Sequence, residues 1–198
     1  MAARALGGAV SDDTGGDASP EAPGLASGYV AHALLTAVAL ASLAWRERFD
    51  ELPLRAIGAH GPFAAAGLGL AVGLPLALLL PRLRRFLPKL ATVEVEVRRL
   101  FADSSDAAIA AFVATGAVAE ELMFRLALPD WLGLPAAVAA AALVNSAVVG
   151  WAWLPLGLAH ATGFCLMVEL GFGLLATATA GAVANYLMIR RMLCRSEA

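Results

Sequence analysis

The chain has 198 residues and a mass of 20.3 kDa, and 60% of it is hydrophobic against only 15% charged, with a mean hydropathy of +0.75. Soluble domains are about half apolar and a quarter charged, so the composition excludes an ordinary water-soluble domain and points to a surface that meets lipid. A net charge of −2 and a pI near 5.9 exclude a nucleic-acid binder, and two cysteines, Cys165 and Cys194, are too few for a disulfide scaffold.

Residues 1–27 hold Gly7, Gly8, Gly15, Gly16, Pro20 and Pro23 with Asp12, Asp13, Asp17 and Glu21 and no useful apolar run, which predicts a disordered tail. It has no secretory-signal pattern, so membrane insertion is expected from near Tyr29. Apolar segments follow at about 28–45, 61–81, 106–128, 134–150, 154–170 and 172–189, each close to the length that crosses a bilayer core. The expected fold is therefore all-α: a polytopic membrane helix bundle of about six transmembrane helices. Only Gly171 and Gly173 offer a turn between the last two segments, which leaves open a hairpin or one broken helix. Gly69 and Gly73, four apart, have the spacing that lets helices approach closely, though in so glycine-rich a chain chance gives the same spacing.

Between the second and third segments, residues 82–105 mix Arg82, Arg84, Arg85, Lys89, Arg98 and Arg99 with Leu83, Phe86, Leu90, Val93 and Val97. The mixture predicts a juxtamembrane amphipathic helix on anionic headgroups, or else a topology signal alone. With six spans this stretch shares one side with the amino tail and with a basic carboxyl tail, 190–198, and the other side has only Arg46, Arg48 and Arg55. The excess of basic charge puts both termini in the cytoplasm. The chain thus divides into a tail (1–27), two helices with the basic amphipathic segment (28–105), a helical core (106–189) and the carboxyl tail. Cys194 is the fifth residue from the end, whereas a prenylation box needs the fourth, so the chain is not expected to be prenylated itself.

The third segment contains Glu120-Glu121-Leu122-Met123-Phe124-Arg125. Ionised groups near a bilayer centre cost about 2.5 to 3.5 kcal/mol each, so these three need partners and an inward face. Glu121 and Arg125 are four apart and can neutralise each other on one helix face. Glu120 is turned about 100° from Glu121, which leaves it a lone carboxyl able to hold and pass a proton. His160 lies in the fifth segment, and with an unpaired glutamate it can activate water for attack on an amide. Asn185, in the last segment, could donate to a developing oxyanion or simply join helices. His32, Glu169 and Asn145 read as structural, Asn145 as a helix-to-helix hydrogen bond. The chain lacks His-Glu-x-x-His, Gly-x-Ser-x-Gly, a phosphate loop and an intramembrane Asp pair, and buried Cys165 has no activating context. What remains is an acid and a histidine acting on water, with no cofactor or metal required.

Glu120-Glu121-x-x-x-Arg125, followed forty residues later by His160 and then by Asn185, resembles the CAAX protease and bacteriocin-processing (CPBP, or Abi) family of glutamic intramembrane proteases over about residues 106–189. Of that family's three motifs, Glu-Glu-x-x-x-Arg is complete. Leu156 stands where Phe-x-x-x-His has its phenylalanine, and Gly181 stands where His-x-x-x-Asn has its histidine. The resemblance implies that Glu120 and His160 activate water, that Asn185 stabilises the oxyanion, and that Glu121 and Arg125 support the site. Tyr186, Thr177 or Thr179 would then have to supply the donor missing at Gly181.

The small size and Ala/Gly-rich usage look like a bacterial member in the inner membrane. Its expected substrate is a membrane-anchored peptide or a carboxyl-terminal sorting tail, and its partners are that substrate and the bilayer, not nucleic acid. Glu120 is nearer the outer end of its helix, which suggests access from outside the cytoplasm. Two other readings stay open: a catalytically silent relative that acts as a membrane binding or immunity protein, and a structural membrane subunit.

Overall fold

The computed structural model describes residues 25–79, 82, 86 and 90–194, so the expectation for residues 1–24 and 195–198 lies outside the described residues. Among the described residues there are helices and short turns and no strand. Helix α1 runs Leu25–Trp45, starting three residues before the expected first segment, and a single turn, Phe49–Glu51, leads into the short α2, Leu52–Ile57. Then come α3, Pro62–Leu79, and α4, Leu90–Phe101. Helix α5, Asp106–Glu121, continues through a wide π turn, Leu122–Ala127, into α6, Leu128–Leu132. Next are α7, Leu134–Val149, and α8, Leu154–Met167; a second wide turn, Val168–Phe172, precedes α9, Gly173–Cys194. Helix α9 thus takes in the first half of what reads as a carboxyl tail.

Local sequence explains the boundaries. The Ser105 hydroxyl accepts from the Ala108 backbone N–H at 3.2 Å and caps α5, with Asp106 in its first turn. Pro53, Pro129, Pro135 and Pro155 sit at the starts of α2, α6, α7 and α8, where a missing N–H costs nothing.

Among the described residues four helical stretches are long and apolar enough to cross a membrane: Leu25–Trp45, Pro62–Leu79, Asp106–Leu132 and Trp151–Cys194. All six expected segments are helical, but α7 has 16 residues, about 24 Å, and the last two segments fall within one stretch. The outward surface is apolar, as Phe63, Leu34, Val38, Leu166 and Leu170 show, all more than half exposed. Such a surface fits a helical membrane bundle.

That last stretch folds back on itself. His160 and Asn185 are 25 residues apart and would be about 37 Å apart on one straight helix, yet they line the same cavity. The reversal occurs at Gly171 and Gly173, whose φ values of 85° and 72° lie where side chains are rarely accommodated. The loop before α3 locks it: the Ala59 N–H donates to Gly171 O at 2.7 Å, and the His60 ring packs on Phe172 at 4.4 Å. A Cβ at Gly58 or Gly173 would collide with the opposing backbone.

Helices α3 and α9 form the tightest seam. A Cβ at Gly69 would sit 2.5 Å from Ala176 O, and one at Gly73 would sit 2.7 Å from Ala180 O. The four-residue glycine spacing is therefore a packing device, with Ala65, Ala77, Ala176 and Ala180 filling the same buried face. At the end where α1 meets α6, Arg48 pairs with Asp130 and Glu51 at 2.7 Å each, and Glu51 also meets Arg55. The hydrogen bonds from Arg48 hold the Glu51 carboxyl below its usual range. Arg46 lies over the Trp131 ring, and Trp131 donates to Ser42.

Helix α4 is the described helical part of the basic segment 82–105, with Glu94 buried and Val95 exposed. Phe101 is buried and Val97 packs near Met192, Arg98 donates to Met192 O and Glu94, and Glu96 and Arg99 face outward. Of the other basic residues of that segment, Arg84, Arg85 and Lys89 lie outside the described residues.

Gly69→Leu or Gly73→Leu is expected to wedge α3 from α9 and cost about 1 to 3 kcal/mol or more in denaturant unfolding in micelles. Gly67→Leu, on the same helix, is the control: a Cβ there would have nothing within 4 Å, and the change should be nearly neutral.

Candidate active site

Within the bundle is a cavity of about 170 Å³, enough for several waters. Its polar wall is made by Glu120, Glu121 and Arg125 of α5 and the π turn after it, Asn145 of α7, His160 of α8 and Asn185 of α9. All five residues singled out for chemistry in the sequence, Glu120, Glu121, Arg125, His160 and Asn185, are therefore brought together. The rest of the wall is apolar, with Leu76 and Leu79 of α3, Val93 of α4, Trp153, Leu156, Phe164 and Met188.

Glu121 and Arg125 are both buried and form the pair their spacing predicts, Nε to Oε2 at 3.7 Å. That is an ionic contact longer than a hydrogen bond, and neither atom has a hydrogen-bond partner among the described residues. The Arg125 guanidinium also lies 5.7 Å from the centre of the Phe164 ring, and Phe164 meets the His160 ring at 4.1 Å. Contact thus passes from Glu121 through Arg125 and Phe164 to His160. Leu156, four residues before His160, only lines the cavity; the aromatic support comes from four residues after it.

Glu120 faces the cavity and remains accessible there, with no hydrogen bond or ion pair within 4 Å among the described residues. The ring nitrogens of His160 and the amide of Asn185 also make no hydrogen bond to any described residue. One wall therefore carries a carboxyl, an imidazole and a carboxamide, all open to a guest. The π turn begins immediately after Glu121, and such turns recur at functional sites because they re-aim neighbouring side chains. Among the described residues no group of three or more His, Cys, Asp or Glu is placed to hold a metal ion.

Several polar residues lie elsewhere. His32 is 3.3 Å from the Thr115 hydroxyl and packs on Tyr29 and Phe112, joining α1 to α5. Glu169 is exposed at the α8–α9 bend. Asn145 departs from its expected role, since it makes no hydrogen bond to another helix among the described residues and lines the cavity instead. Its neighbour Ser146 is the buried group, bonded to Ala142 O at 2.7 Å. No sequence signal separates the two; only the helix rotation does.

The apolar lining of the cavity gathers at one end of the bundle. Leu79, Val93, Trp153 and Met188 lie at the end of the bundle where α3 finishes, α4 lies and α8 begins, so the cavity extends toward the α4 end. The position of Glu120 along its own helix does not reveal where the neighbouring helices leave space. Set against known protein families, curated proteins and solved structures, the chain matches none of them.

Arg125→Met leaves the Glu121 carboxylate buried without its countercharge and is expected to cost about 3 to 5 kcal/mol, whereas Glu121→Gln combined with Arg125→Met should recover most of that loss. Unfolding of wild type and both variants in micelles checks it; a single-variant cost below about 1 kcal/mol would mean that water screens the pair.

Proposed function

We propose that the chain is an intramembrane glutamic endopeptidase of the CPBP type. The observation that carries the reading is the convergence of Glu120, His160 and Asn185, each without a hydrogen bond to a described residue, on one cavity inside an apolar bundle. Glu120 takes a proton from a water, with His160 as its partner, and the water oxygen attacks the carbonyl carbon of a peptide bond. Asn185 donates to the oxygen that gains charge, and the C–N bond breaks as the proton passes to the departing amine. Glu121 and Arg125 hold Phe164, and Phe164 holds the imidazole.

The apolar part of the wall, Leu76, Leu79, Val93, Trp153, Leu156 and Met188, suits an extended apolar substrate: a membrane-anchored peptide or a carboxyl-terminal sorting tail. We assign the protein to a bacterial inner membrane with six crossings and both termini cytoplasmic, an arrangement supported by the fold-back at Gly171 and Gly173 and by the basic residues at the α4 end. The cavity then opens toward the cytoplasmic side. One observation favours a silent, peptide-binding relative instead: Gly181 lines the cavity and presents no side chain to it.

Reconstituted wild-type protein is expected to cut members of a library of membrane-anchored peptides, as read by mass spectrometry of the new ends. Glu120→Ala and His160→Ala, still folded, should each lose at least about 10² in rate. Equal cutting by all three would make these residues structural, and binding without cutting would favour the silent relative.

A further inference from the structure

The hydrolysis proposed above has a gap at Gly181, because α9 offers the oxyanion Asn185 and nothing beside it. The α9 side chains that could fill the gap are committed elsewhere. Thr177 is buried and its hydroxyl donates to Leu174 O at 3.1 Å. Thr179 faces α3, with its Cβ against Gly69, and Tyr186 packs into the cluster around Phe101 and Ile109. None of the three lines the cavity.

The cavity does hold one further carboxamide, on α7. Asn145 is half-buried, lines the wall with Glu120, His160 and Asn185, and makes no hydrogen bond among the described residues. An amide in an apolar helix is costly unless it finds a partner, and Ser146, one residue on, shows how such a group is satisfied within the helix. Both N–H groups of the Asn145 amide are therefore without a hydrogen-bond acceptor among the described residues. Its helix packs along α8, which carries His160, and Asn145 lines the same cavity as Asn185 of α9.

We propose that Asn145 is a catalytic residue that supplies the second oxyanion donor, its side-chain N–H bonding the substrate oxygen from α7 while Asn185 bonds it from α9. The inference rests on the hydrolytic reading. In the attack step the water oxygen forms a bond to the carbonyl carbon, the C=O π pair moves onto oxygen, and both amides hold that oxygen without transferring a proton. When the C–N bond breaks the pair returns, and the proton taken up by Glu120 and His160 goes to the amine.

The test compares wild type, Asn145→Ala, Asn145→Asp, Glu120→Ala, Gly181→His and the Asn145→Ala/Gly181→His double variant in proteoliposomes with the same membrane-anchored peptides. Asn145→Ala and Asn145→Asp should lower kcat by about 10² to 10³ with KM nearly unchanged. A Cβ at position 181 meets only Ala117 at 3.8 Å and Phe164 at 3.9 Å, so a histidine there reaches the cavity. The double variant should therefore regain about tenfold or more over Asn145→Ala, a rescue that a merely structural asparagine would not give. If Asn145→Ala cuts within about threefold of wild type while Glu120→Ala does not cut, the hydrolytic reading stands and the role of Asn145 is refuted. Wild type that cuts no peptide overturns the hydrolytic reading, and this inference with it.

Discussion

The fold-back at Gly171 and Gly173 is the constraint on which the rest depends. A continuous helix of these 44 residues would extend about 66 Å, twice a bilayer core, and would hold His160 and Asn185 on opposite sides of a membrane. Two glycines with positive φ turn the chain, and the backbone of Ala59 holds the turn closed. Helix α9 can then lie along the Gly69–Gly73 face of α3, while α8 diverges to pack on α7. The cavity is the space left between helices that part from a common bend.

The charged residues obey the same economy of contact. In a bundle where small residues bring backbones together, a carboxylate and a guanidinium fit only beside each other, and Glu121 and Arg125 are so arranged. Their pairing leaves Glu120, one residue away, on the cavity side without a countercharge in contact. Two adjacent identical residues thus have different environments because a helix turns about 100° per residue. Phe164 links the buried pair to the His160 ring by contact.

Much of this was legible in the sequence. Apolar runs and Gly/Pro punctuation located all six helical segments, and the cost of burying charge singled out Glu120, Glu121 and Arg125. Glycine spacing suggested a close helix contact but could neither establish it nor name α9 as the partner, since only the partner backbone distinguishes contact from chance. The number of crossings could not be settled by segment counting, because α7 is short and the last two segments share one stretch. Asn145 and Phe164 were misjudged or unnoticed for one reason: a uniformly apolar helix has no polar face to show which way a single side chain points. The direction of the cavity is likewise a property of helix packing, which no single segment encodes.

The π turn at Leu122–Ala127 separates two parts of one long helix that answer to different neighbours. Beyond it, Asp130 and Trp131 are tied to Arg48, Arg46 and Ser42 of the first hairpin; before it, Glu120 faces the cavity. Deletion of one residue from the turn would leave every side chain type intact but rotate the glutamates about 100° against the anchored end. The number of residues in this turn, and not only their identity, therefore sets which way the glutamates point.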